Sequence, residues 1–325
     1  MGSFRGVEVD QRWFKVLPGA LLCALLWGSA FPCLKTVYGI WEEQGFEPVL
    51  SDYWWFAGVR FTIAGVLLLL ISRNPWRGIK NGPKLRLLTM SLTQTYGQYL
   101  MFYLAVAVAS GSLTGLLASS GSFWWVLLAP MLSKAPNPSR GQWYALLVGG
   151  LGITLATAAP GTGAGRPLLG ALLMIAGTGL GAVGIIEFGK IGGAIGARAA
   201  TGFSLAAGGV LLLITGAGAI SHMGELFRDP VVILITCWMS IVSAAAFALW
   251  NHLSTIYPVP LLAGYRFLIP LCGMSESLLF LKGESAGWGL IVGAVLVAGS
   301  LVMMQRAKAR DLVGAGGKLR RGLLD

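Results

Sequence analysis

A chain of 325 residues that is 55% hydrophobic and 11% charged falls far below the roughly 25% charge of a soluble domain. Apolar runs of about 18 to 24 residues recur along it, each able to cross a hydrocarbon layer of about 30 Å; this excludes disorder, and the lack of alternation excludes a β-barrel. The net charge of +11 does not point to nucleic acid, because most Lys and Arg flank apolar runs, where they set topology.

The expected fold class is an all-α polytopic membrane protein with about ten transmembrane helices. In chain order the spans run Lys15–Val37, Tyr53–Ser72, Leu85–Val108, Leu113–Ser133 and Gln142–Ala159, then Leu168–Phe188, Ala199–Gly218, Val231–Leu253, Val259–Leu281 and Ala286–Met304. The basic N-terminus followed by an apolar stretch and Gly28-Ser29-Ala30 imitates a secretory signal. Apolar character continues through Phe31 to Leu34, and the segment has a copy later in the chain, so cleavage is not expected. Cys23, Cys33, Cys237 and Cys272 all lie inside apolar runs, as small packing residues with no disulfide pattern.

With both termini cytoplasmic, the inner side carries Arg5, Arg12, Lys15, Arg73, Arg77, Lys80, Lys84, Arg86, Lys134, Arg140, Lys190, Arg198 and the basic tail. Only Lys35, Arg166, Arg228 and Lys282 fall on the other side, and that asymmetry sets the orientation. The expected location is a bacterial inner membrane. The first outer loop is acidic, with Glu42, Glu43, Glu47 and Asp52.

Short matches recur in collinear order at offsets of about 140 to 151 residues. Gly19-Ala20-Leu21-Leu22 matches Gly170-Ala171-Leu172-Leu173; Gly65 to Leu69 matches Gly209 to Leu213. Phe61 corresponds to Phe203, Pro130 to Pro270 and Trp143 to Trp288. The resulting organisation is an N-terminal cytoplasmic segment (1–15), a first five-helix repeat (16–160), a second (166–305) and a basic cytoplasmic tail (306–325). Five spans per half is odd, so the halves enter the membrane with opposite orientation, an architecture of secondary transporters that exchange inward and outward openings about a central site.

Ionisable groups at membrane depth cost about 2.5 to 3.5 kcal/mol each, so they need partners or a wet cavity and become the functional candidates. Arg60 and Glu276 lie at matching depths, roughly 12 Å from the outer side at helical rise. They are expected to face each other or a shared cavity, as a salt bridge or as a substrate-binding pair; a pair that only fixes helix packing is the alternative. Arg266 sits four residues before Pro270, whose ring frees a backbone carbonyl. This arrangement suits a carboxylate-bearing substrate, and snorkelling to the inner surface is the other reading. Lys35 reads as a snorkelling residue that joins the intramembrane charges, and Glu187 with Lys190 as a local surface pair.

The third span is unusually polar, and its Gln94 and Gln98, four residues apart, share one face. That face looks inward, either as hydrogen-bonding glue or as the lining of a cavity that Tyr99 and Trp124 would help to wall. Trp54-Trp55 read as an interface anchor. Trp27, Pro130, Trp250, Asn251 and Pro270 are the gate and hinge candidates. Enzymatic readings find no HExxH, CxxC, nucleophile elbow or P-loop, and His222 and His252 belong to opposite sides of the membrane. No metal and no cofactor are called for. The glycines between Gly177 and Gly196 read as permitting close helix approach.

Leu26-Trp27-Gly28-Ser29-Ala30-Phe31 through Lys35, Arg60-Phe61 with Ala64, Phe247 to Asn251, Tyr265 to Gly273, and Leu279 to Glu284 together resemble the motifs of EamA-like permeases in the drug/metabolite transporter superfamily. The resemblance covers roughly residues 16 to 305 and implies ten helices, cytoplasmic termini and movement of small organic metabolites, most often efflux. Arg60, Lys35 and Glu284 match family positions. Arg266 stands where relatives often carry a neutral polar residue, Glu276 at a usually apolar position, and Lys282 as an insertion before the Gly-Glu pair. The first half also lacks the acidic residue expected after Pro130.

The added charges suggest a polar or zwitterionic small-molecule substrate, amino acid-like in character, with membrane lipid as the other partner. Glu276 would serve a coupling proton, with uniport and exchange equally open; the chain would be a monomer or a dimer. The competing class is a membrane-embedded enzyme or lipid-handling scaffold without solute transport.

Overall fold

A computed structural model describes residues 3–133, 135–158, 165–256, 265–266 and 268–321, with side chains described from 15 to 307 within these ranges except at 251 and 254–256. Among the described residues every regular element is helical, as expected where lipid cannot satisfy backbone polar groups. The elements in chain order are α1 (Ser3–Gly28), α2 (Ala30–Glu43), α3 (Leu50–Leu70), α4 (Pro75–Asn81), α5 (Lys84–Met90), the π-helical Ser91–Gly97 and α6 (Gln98–Val108). There follow α7 (Gly111–Leu117), α8 (Ser120–Ser133), α9 (Arg140–Ala158), α10 (Pro167–Ile195), α11 (Ala197–Thr215), a 3-10 turn (Ala217–His222) and α12 (Met223–Leu226). The last are α13 (Pro230–Ile256), α14 (Leu268–Phe280) and α15 (Trp288–Arg321).

Among the described residues, seven stretches are long and apolar enough to cross a membrane: Lys15–Glu43, Leu50–Leu70, Gly111–Ser133, Pro167–Ile195, Ala197–Thr215, Pro230–Trp250 and Trp288–Ala307. The other three expected spans differ in form. Lys84–Val108 is helical throughout but passes through the π segment, and Arg140–Ala158 is a 19-residue helix. The described part of the ninth, Leu268–Phe280, has 13 residues, only about 20 Å of helix, and its expected beginning at Val259 lies outside the described residues.

Local chemistry explains the interruptions. Pro32 has no N–H to give the carbonyl four residues back, and the helix breaks beside that carbonyl, between Gly28 and Ala30. The hydroxyls of Ser91 and Thr93 donate to the carbonyls of Leu87 and Thr89, at 2.9 and 2.8 Å. They compete there with the usual helical donors, and the Gln98 N–H reaches five residues back to Thr93. The polar run noted in the sequence is therefore the site of the wide turn.

Three crossings set the architecture: α3 on α11, α9 on α15 and α7 on α14. Each rests on glycines whose missing side chains are replaced by the partner's backbone. A Cβ on Gly65 would stand 2.2 Å from the Ala206 nitrogen, and one on Gly209 would stand 2.5 Å from the Thr62 nitrogen. Gly152 and Gly293 each receive the other's carbonyl oxygen, at 2.8 and 2.6 Å from the Cβ position, and Gly115 abuts Gly273. Between lipid-immersed helices such close contact is a main source of attraction, because lipid tails remove any hydrophobic drive to associate.

Candidate functional site

A buried polar cluster forms around Arg60. α3 carries it into the core, where the residue is 3% exposed. Its Nη1 donates to the Tyr103 hydroxyl at 2.9 Å, Nη2 to Ser243 Oγ at 2.9 Å and Nε to the Met239 carbonyl at 3.3 Å. The guanidinium also lies 4.5 Å from the centre of the Phe61 ring, a favourable cation–π position. Spans two, three and eight thus converge on one cation through neutral dipoles. A guanidinium has five N–H donors, and three of them are assigned here.

An aromatic seam leads away from this cation. Tyr99 stacks 4.0 Å from Phe61 and 5.4 Å from Phe102, and Phe102 lies 5.3 Å from Phe31 on α2. Phe31 in turn fills the space a side chain on Gly273 of α14 would need. Glu276, one turn further along α14, is 8% exposed. Its Oε1 is buried and has no hydrogen-bond partner among the described residues. That oxygen stands 2.9 Å from where a Cβ on Gly28 would lie, beside the break between α1 and α2.

Arg60 and Glu276 therefore form no salt bridge. Ion pairs among the described residues use Glu187 with Arg86 and Lys190, Asp52 with His222, and Glu225 with Arg228. Cys33 on α2 lies within charge range of both Arg60 and Glu276. Arg266 is partly buried and forms no ion pair among the described residues, and Pro270 is buried on α14. Lys35 lies within charge range of Glu284 and Glu42.

Gln94 and Gln98 turn their shared face onto α10. The Cβ positions of Gly184 and Gly181 fall 2.3 Å from Gln94 Cβ and 2.1 Å from Gln98 Oε1. Of the two roles left open by the sequence, helix packing is the one this contact serves, although Gln94 Oε1 remains buried without a partner among the described residues. Trp124 also lies on α10, over Gly179, and its Nε1 donates to the Ile175 carbonyl at 2.9 Å. Trp54, expected as an interface anchor, instead donates across the helix contact to the Leu100 carbonyl at 3.2 Å. The Glu187–Lys190 pair gains a partner from another helix, Arg86 on α5 at 3.1 Å.

Aromatic clusters stand at both ends of the seam. Toward one side Trp27 lies 5.3 Å from Phe247 and 5.8 Å from Trp250, which brings two gate candidates together; the Asn251 side chain lies outside the described residues. Toward the other, fully buried Trp41 packs on Tyr38, Tyr53, Phe46 and Phe56. Its Nε1 donates to the Leu226 carbonyl at 3.0 Å. Pro130 is an interior residue of α8.

Sequence reasoning missed Tyr103, Ser243 and Phe31 as members of this centre, since a Tyr, a Ser or a Phe in an apolar span is unremarkable until a neighbour is known. Glu284 acquires a structural role: its carboxylate accepts the backbone N–H groups of Gly111 and Ser112 and so closes the N-terminus of α7. No group of three His, Cys, Asp or Glu that could hold a metal ion occurs among the described residues.

No family model and no curated protein matches the sequence. Among solved structures, a chain described only as "Crystal structure of protein" matches with a TM-score of 0.57 at 17% identity, over 89% of this chain and 97% of its own length. At that identity the likeness is one of fold.

Proposed function

We propose that the protein is an EamA-like secondary transporter of the drug/metabolite transporter type. It would move a small zwitterionic or otherwise polar metabolite, in the efflux direction, by alternating access between two inverted five-helix halves of a bacterial inner-membrane protein with both termini in the cytoplasm. The observation that carries this reading is the separation of two opposite intramembrane charges by an aromatic seam. Arg60 keeps donors for a carboxylate, and Glu276 keeps an unsatisfied acceptor for an ammonium group or a proton.

The packing supports the inverted repeat. Counting Lys84–Val108, Arg140–Ala158 and α14 with the seven long spans gives ten, and the three glycine crossings then pair the second span with the seventh, the fifth with the tenth and the fourth with the ninth. In a pseudo-two-fold arrangement each of these helices meets its own copy. The paired glycines are about 140 to 160 residues apart, close to the sequence offsets. The remaining neighbours follow the same operation: α10 packs on α8 as α1 and α2 pack on α14, and α10 packs on α6 as α1 packs on α13.

The test is counterflow of labelled amino acids and related metabolites in proteoliposomes. Arg60→Gln and Glu276→Gln are each expected to cut uptake of any substrate that the unaltered protein moves by about tenfold or more, the worth of one charge-assisted contact. Unchanged flux in Glu276→Gln removes that residue from the site. Flux absent for every solute, with lipid turned over or scrambled, would favour the enzyme or scaffold class.

A further inference from the structure

We propose that the turn between α3 and α4 is a binding site for the phosphate headgroup of an anionic phospholipid. Two adjoining hollows meet there. One, of about 580 Å³, is lined by Leu69, Leu70, Ser72, Pro75 and Trp76, and the other, of about 400 Å³, by Arg73, Gly78, Asn81 and Ala194. Asn74 and Arg77 line both. An apolar hollow continuous with a cationic one matches a molecule with an acyl chain and an anionic head.

The shape is built in. Asn74 adopts φ of 51°, a left-handed conformation that asparagine tolerates better than most residues, and it turns the chain sharply out of α3. α4 is then pressed onto the end of α10: a Cβ on Gly78 would stand 2.3 Å from the Ile195 carbonyl oxygen, and one on Gly82 would stand 2.5 Å from the Ile195 side chain. Leu70 and Trp76 remain 76% and 66% exposed, where the acyl boundary would cover them.

Among the described residues the charge has no internal answer. Arg73, Arg77, Lys80, Lys84 and Arg86 occur within fourteen positions, and no Asp or Glu occurs anywhere from Tyr53 to Ile186. α4 packs on α10 and α11, whose single carboxylate, Glu187, is already held by Arg86 and Lys190. Arg73, Arg77 and Lys80 form no ion pair among the described residues. Topology alone requires basic residues on this side; it does not require a hollow with Arg73 and Arg77 on its wall. Arginine guanidinium is suited to two-point contact with phosphate.

Thermal unfolding of the detergent-purified full chain tests the site, with three probes: dioctanoyl-phosphatidylglycerol, dioctanoyl-phosphatidylcholine and glycerol 3-phosphate. The phosphatidylglycerol is expected to raise the midpoint by about 3 to 5 °C at saturation, and the other two to leave it unchanged. Arg73→Gln with Arg77→Gln should erase the shift, and Arg140→Gln with Arg306→Gln, an equal loss of charge elsewhere, should keep it. Equal shifts from phosphatidylcholine, a shift retained by the Arg73/Arg77 variant, or a shift lost in the Arg140/Arg306 control would overturn the site. An equal shift from glycerol 3-phosphate would overturn the lipid and assign a soluble phosphate.

Discussion

Removing the Tyr103 hydroxyl probes the organising cation directly. Tyr103→Phe deletes one 2.9 Å hydrogen bond to Arg60 and little else, because the ring stays packed and the Tyr103 carbonyl still accepts from Tyr38 at 3.3 Å. Arg60 is 3% exposed, so water does not replace the lost acceptor. A hydrogen bond to a charged group is worth about 1.5 to 3 kcal/mol, and polar contacts inside membrane proteins fall toward the low end, so the expected cost is about 1.5 to 2 kcal/mol. In a chain of this size that lowers the unfolding midpoint by about 2 to 3 °C. In an Arg60→Met background the charge is gone, and the same substitution should cost less than about 0.5 kcal/mol. Arg60→Lys should not restore stability, since one ammonium cannot reach Tyr103, Ser243 and the Met239 carbonyl together. A four-variant thermal cycle in detergent reads the difference. An equal cost of Tyr103→Phe in both backgrounds would refute the view that this bond holds the cation.

Other outcomes follow from the same geometry. Gly209→Ala places a Cβ 2.5 Å from the Thr62 nitrogen, so α3 and α11 must separate; a loss of about 2 to 4 kcal/mol is expected, and an unchanged midpoint would show that the crossing is loose. Glu284→Gln weakens the closure of two N–H groups at the start of α7, and hydrogen exchange at Gly111 and Ser112 should rise about tenfold or more. Trp27→Ala removes the contacts to Phe247 and Trp250. Modification of half-buried Cys33 by a water-soluble maleimide, mapped by mass spectrometry, should then accelerate at least about fivefold; an unchanged rate would remove Trp27 from any gate.

The long spans were legible because lipid imposes length and continuity on a hydrophobic run. Helix ends were less so: α1 runs back to Ser3 and α15 on to Arg321, past the change in polarity that marks the span ends in the sequence. The third span showed its polar run but not its π winding, which depends on hydroxyls of Ser91 and Thr93 choosing their own helix's carbonyls. Depth along a helix placed Arg60 and Glu276 at one level. Rotation about the helix axis, which decides partners, is fixed by tertiary packing and left no trace in spacing alone. Hence the salt bridge, one of the arrangements expected of Arg60 and Glu276, does not form, and Gln94 and Gln98 meet α10.

That separation bears on mechanism. If Arg60 and Glu276 were paired, each would satisfy the other, and a substrate would have to break a buried salt bridge at a cost of about 3 to 5 kcal/mol. Held apart, with Arg60 kept by neutral dipoles and Glu276 by none among the described residues, the two groups would, in the transporter proposed above, leave a field that a zwitterion complements in one orientation only. A cation or anion alone would answer half of it. Substrate series that remove either the ammonium or the carboxylate should therefore lose uptake about equally, and in the residual uptake of Arg60→Gln the loss from removing the carboxylate should vanish. An anionic substrate moved as well as its zwitterionic parent would break the reasoning at Glu276 while leaving Arg60 in place.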